Sequence, residues 1–159
     1  MSRWRRAAWI AIVVADGGFL LWGAAGALLP DHLIGPGGVP ILTAGYQGFT
    51  GLSWSDLVAT SPQTADYLEL LFRLYSSFCV IVGGLMVAIT VTAFRRGERW
   101  AWWTLLAGNV LAYGLAMTYD RIVKAIGPFE LTEYLGIAVV FAALAVTAPR
   151  QPSAESPAT

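Results

Sequence analysis

The chain has 159 residues, of which 57% are hydrophobic and 13% charged. A soluble domain of this length needs more polar surface, so the composition indicates one membrane-embedded bundle. Lys and Arg number 10 and Asp and Glu number 10, a balance that gives no reason to expect nucleic acid as a partner.

Met1 to Arg6 is a basic head, and the apolar run that follows, residues 7–29, is long enough to cross a bilayer. Its small residues Gly23-Ala24-Ala25-Gly26-Ala27 could host a signal-peptide cleavage site. The run is long for a signal core, however, and Asp16 interrupts it, so an uncleaved first span is expected. Pro30 is expected to stop the helix.

Residues 30–66 form a long outer segment with turn signals at Gly35-Pro36-Gly37-Gly38 and Pro40. Gly45, Gly48 and Gly51 punctuate an aromatic stretch, and Ser53 is placed to cap a short helix over Trp54 to Ala59. A connection of this length is uncommon without structure of its own. It is expected to lie against the membrane or over the mouth of the bundle, as an interfacial cap or a lid.

Ser61-Pro62 is a helix start, and the second span covers residues 71–94. Arg73, Ser77, Val80, Gly84 and Ala88 fall on one face, with Gly84 and Ala88 spaced for close helix approach. The turn Arg95-Arg96-Gly97-Glu98-Arg99 leads into a third span, residues 100–119, anchored by Trp100, Trp102 and Trp103. Asp120 to Pro128 reads as an outer turn. A fourth span, residues 130–148, ends at Pro149, and residues 150–159 are expected to be a disordered tail.

Charge placement orients these elements. Arg3, Arg5, Arg6, Arg95, Arg96, Arg99 and Arg150 fall on one side, and only Arg73, Arg121 and Lys124 on the other. The positive-inside rule then puts both termini and the Arg95–Arg99 turn in the cytoplasm. The expectation is an all-α, multi-pass four-helix bundle in the plasma membrane, with the bilayer as its first partner.

Chemistry-bearing residues are few. Cys79 and His32 are each the only residue of their type, which removes an internal disulfide, a Cys-x-x-Cys pair and bis-histidine haem ligation within the chain. No metal set, cofactor motif or catalytic constellation is expected. At the outer face, Arg73, Asp120, Glu130, Glu133 and Trp54 are candidate ligand-binding residues. Glu130 and Glu133 share a helix face and call for a nearby cation, with Arg73 the natural one, although Glu69 four residues before it could claim it.

Within the bilayer, Asp16 and Asn109 lie at matching depth. Gly17, Gly18, Gly83, Gly84 and Gly108 are expected to crowd the same level. An intramembrane acid must face the bundle, so Asp16 is expected to be neutral and hydrogen-bonded to Asn109. Either the pair locks helix register, or Asp16 binds a proton or a ligand.

Phe72-Arg73-Leu74-Tyr75 and Phe94-Arg95-Arg96-Gly97-Glu98-Arg99-Trp100-Ala101-Trp102-Trp103 resemble small bacterial four-helix membrane proteins of the DoxX-like group, over about residues 71–149. That resemblance implies an accessory role beside membrane redox partners and quinones. Three functions stay open: a non-enzymatic accessory or structural subunit of a membrane complex, a binder or transporter of a small lipophilic or acidic ligand, and a quinone-linked redox subunit. Partners would be another membrane protein or further copies of the chain.

Overall fold

The computed structural model describes residues 3–124 and 128–149, the side chains of residue 36 and residues 128–131 excepted. The Glu130 side chain and the tail from residue 150 onward therefore lie outside the described residues. Six α-helices carry the fold: α1 (Arg3–Leu28), α2 (Ile41–Thr50), α3 (Trp54–Thr60), α4 (Pro62–Ile89), α5 (Arg99–Val123) and α6 (Pro128–Val146). No strand occurs among the described residues; a single bridge pairs Ile34 with Pro40.

Among the described residues, two helices are long and apolar enough to cross a membrane: α1, and α4 together with the π-turn that extends it to Phe94. Of the other two expected spans, α5 falls short of that measure. In the fourth, the apolar stretch among the described residues is Thr132–Val146. The third, α5, is diluted by Thr104, Gly108, Asn109, Gly114 and Thr118 along its length.

The centre of the bundle is the α1–α4 pair, and small residues make it. A Cβ on Gly23 would lie 2.7 Å from the Ser76 carbonyl, and one on Gly83 would lie 2.9 Å from the Leu20 amide. Backbone meets backbone at both points, which is the close approach that small residues permit between packed helices. The buried face of α4 runs through Ala65, Ser76, Cys79, Gly83 and Met86. It is turned by one residue from the expected Ser77, Val80, Gly84 and Ala88, because Gly23 and Gly26 of α1 seat against Ser76 and Cys79. Gly17 and Gly18 have nothing within 4 Å of a notional Cβ, so the expected crowding of glycines at that level involves Gly83 and Gly108 without them.

The apolar core is concentrated at the end that holds the Arg95–Arg99 turn, here the turn end. Ile12, Phe94, Ala101, Leu105, Val140 and Leu144 pack together there. Thr90 to Phe94 form the π-turn that ends α4. Gly97, at φ 86°, then reverses the chain, and its amide bonds the Phe94 carbonyl at 2.9 Å.

The opposite end is capped by the long segment, and helix α2 was not evident in its sequence. Gly45 and Gly48 lower helix propensity, yet the helix forms because Gly45 seats on α5, where a Cβ would lie 2.9 Å from the Tyr119 hydroxyl. Gly51, at φ 72°, ends it. Helix α3 starts at Trp54 as expected, but the Ser53 side chain does not cap it; its Oγ shares a 2.6 Å hydrogen bond with Ser55 Oγ. Helix α5 runs to Val123, so Asp120 stands on a helix and not in a turn.

Candidate functional site

Helices α4 and α5 leave their turn together but touch little beyond it. The wedge between them at the cap end is a cavity of about 440 Å³. That volume lies within the range of small-molecule sites. Its walls are periodic: Leu68, Leu71, Phe72 and Tyr75 from α4, and Leu115, Ala116, Tyr119 and Asp120 from α5. Both sets follow helical spacing. Ile41 and Leu42 of α2 close the top, while Trp22 of α1 and Glu133 of α6 complete the lining.

The aromatic wall is ordered by ring contacts. Trp22 meets Phe72 edge to face at 6.3 Å and Tyr75 at 6.1 Å. The polar groups of the cavity include two carboxyls, Asp120 and Glu133, two phenols, Tyr75 and Tyr119, and the indole of Trp22. Asp120 is buried. Glu133 also borders a second cavity of about 470 Å³ on the α1 side, where Trp22, Phe19 and Tyr113 line it. Among the described residues, no cationic side chain lines either cavity.

Of the sequence candidates, Asp120 and Glu133 are brought together, while Arg73 and Trp54 stay outside the cavity. Arg73 turns to its own helix and to α1. Its Nε and Nη2 donate to Glu69 Oε1 at 2.9 and 2.7 Å, and Nη1 donates to the Ala27 carbonyl at 2.9 Å. The Glu69 alternative therefore holds, and α1 gains a cation at its C-terminal carbonyls. Trp54 packs edge to face on Tyr46 at 5.4 Å, inside the cap itself.

Trp22, Phe72, Tyr75 and Tyr119 were missed as site residues. The signal was present, since Leu68, Leu71, Phe72 and Tyr75 form one stripe of α4. Such a stripe ordinarily reads as core or lipid-facing surface.

At mid-bundle, Asp16 and Asn109 are both fully buried. Asn109 Nδ2 donates to the Leu105 carbonyl at 2.9 Å. Asp16 Oδ2 and Asn109 Oδ1 are left without a donor among the described residues.

No grouping of three or more His, Cys, Asp and Glu suited to a metal ion occurs among the described residues. No family model, characterised protein or solved structure matches the chain.

Proposed function

We propose that the chain is a four-span integral membrane protein, with both termini cytoplasmic, that binds a small amphiphile in the cavity beneath α2. The observation that carries this reading is the cavity itself: about 440 Å³, apolar on most sides, with Asp120 and Glu133 among its lining. Two carboxyls in an apolar pocket suit a ligand with an apolar body and a donor head, such as a protonated amine. An acidic ligand would meet like charge, because Arg73 is engaged by Glu69 and Ala27. A quinone brings only acceptors, which the Tyr75 and Tyr119 hydroxyls can meet but the two carboxylates cannot.

The membrane reading rests on α1 and on α4 with its π-turn, both of spanning length. It rests further on the split of cations between the two ends. Signal-peptide cleavage after residues 23–27 would remove Gly23 and Gly26 from the α1–α4 contact, which favours retention of α1. The cavity moves the balance from an accessory subunit toward a binding protein.

Native mass spectrometry in a mild detergent tests this with three probes of one chain length: dodecylamine, dodecanol and dodecanoate. Retention should follow that order, with the amine ahead of the carboxylate by about 10-fold, or about 1.4 kcal/mol. Equal retention of amine and carboxylate would sink the reading.

A further inference from the structure

A second cavity lies at the turn end, about 190 Å³ in volume, where α1, the α4–α5 turn, α5 and the chain after α6 meet. Three arginines from separate stretches line it: Arg5 of α1, Arg95 at the end of α4, and Arg99 at the start of α5. Arg5 reaches over the turn, so that a Cβ on Gly97 would sit 3.0 Å from its Nη1. The Arg95 guanidinium stands 5.4 Å from the centre of the Trp9 ring, a cation–π placement that fixes its direction.

The remaining polar groups of this cavity are mostly donors as well. Trp9 Nε1 is buried and has no acceptor among the described residues, although its side chain lines the cavity. Glu98 at the N-cap of α5 makes no side-chain bond to the first-turn amides. The Glu98 carboxylate is engaged elsewhere, accepting from Arg96 Nε at 3.0 Å and from the Trp100 indole. Trp102 Nε1 is spoken for by the Leu144 carbonyl at 2.8 Å.

We infer that this cavity is a binding site for the phosphate of an anionic phospholipid headgroup. A tetrahedral group with several charged acceptor oxygens is what three guanidiniums, an unused indole N–H and an uncapped helix start can serve together. Lipid is the favoured source because Trp4, Trp100 and Trp103 are exposed at this level and Ile10 and Val14 are exposed along α1 beside it. Those positions give acyl chains an apolar wall below the headgroup. Basic pockets between helices on the cytoplasmic side are where anionic headgroups lodge. The inference rests on the membrane placement proposed above, but not on the amphiphile cavity at the other end.

The test uses the purified full chain in a non-ionic detergent. Phosphatidylglycerol and phosphatidylcholine of identical acyl chains are titrated separately and bound lipid is counted by native mass spectrometry, with inorganic phosphate as a third probe. One phosphatidylglycerol should be retained about 10-fold more strongly than phosphatidylcholine. The double variant Arg95→Gln/Arg99→Gln should lose that preference, while Arg121→Gln, at the far end of α5, should keep it. Trp9→Phe removes one N–H without changing charge and should weaken phosphatidylglycerol several-fold, which covers the case in which the double variant does not fold. Equal retention of the two lipids, or an unchanged preference in Trp9→Phe, would overturn the site. Binding of inorganic phosphate with no retained phospholipid would overturn the lipid source. Because the readout is taken in detergent, failure of the topology proposal would not imitate any of these results.

Discussion

Arg73 Nη1 lies 2.9 Å from the Ala27 carbonyl, so a side chain of α4 closes the last turn of α1 while holding Glu69. One guanidinium thus ties the two central helices together at the cap end. Arg73→Ala should lower stability by about 1–2 kcal/mol, since it removes a charged hydrogen bond and a favourable helix-end charge. Arg73→Lys should recover less than half, because an ammonium cannot copy the fork geometry. Glu69→Gln should cost well under 1 kcal/mol, as the pair is over one-third exposed. Melting temperatures in one detergent check the order; a Glu69→Gln variant as unstable as Arg73→Ala would show that the ion pair, not the tie to α1, is what matters.

The glycines divide into two groups that a single substitution separates. Gly83→Ala should destabilise by about 1–3 kcal/mol, because the new Cβ meets Leu20 backbone at 2.9 Å and backbone cannot step aside. Gly18→Ala should be neutral or gain up to about 1 kcal/mol, since it meets nothing within 4 Å and improves helix propensity. If the two variants melt together, the α1–α4 contact is not as close as described.

At mid-bundle, Asp16 Oδ2 and Asn109 Oδ1 both lack a donor among the described residues. An amide at position 16 would supply N–H donors to this pair. Asp16→Asn should therefore fold at least as stably as the intact chain. Asp16→Leu, which offers Asn109 no polar group at all, should be less stable than Asp16→Asn by about 1 kcal/mol, in the range of interhelical hydrogen bonds measured in membranes. Thermal melts of the two variants decide it. Equal tolerance of Asn and Leu would mean that the contact contributes nothing to stability.

Topology is open to a direct labelling experiment. In a Cys79→Ala background, a cysteine at Ser55 should react with a membrane-impermeant maleimide from outside intact cells. One at Ser153 should react only after the cells are opened. The same pattern at both positions would contradict the four-span proposal.

Much of this fold was legible because helix and turn signals are local. Ser61-Pro62 opens α4 and Gly97 reverses the chain, both from spacing alone. What escaped was tertiary. The helix α2 exists against the propensity of Gly45 and Gly48, through a contact with Tyr119 that no local pattern announces. The direction of Arg73 depended on which of two acidic neighbours would win, and the one on its own helix did. The cavity escaped for the same reason. Phe72 and Tyr75 line a space only because α4 and α5 diverge, and divergence is a property of the pair.

The most direct test of the central claim is the affinity of Asp120→Asn for dodecylamine and for dodecanol, measured side by side on purified protein. Asp120 lines the cavity and is buried, so removing its charge should weaken the amine about 10-fold, or about 1.4 kcal/mol. The alcohol, which has the same apolar body but no charge, should bind as before. A loss for both probes alike, or for neither, would contradict a carboxyl-lined site for an amine-headed amphiphile beneath α2.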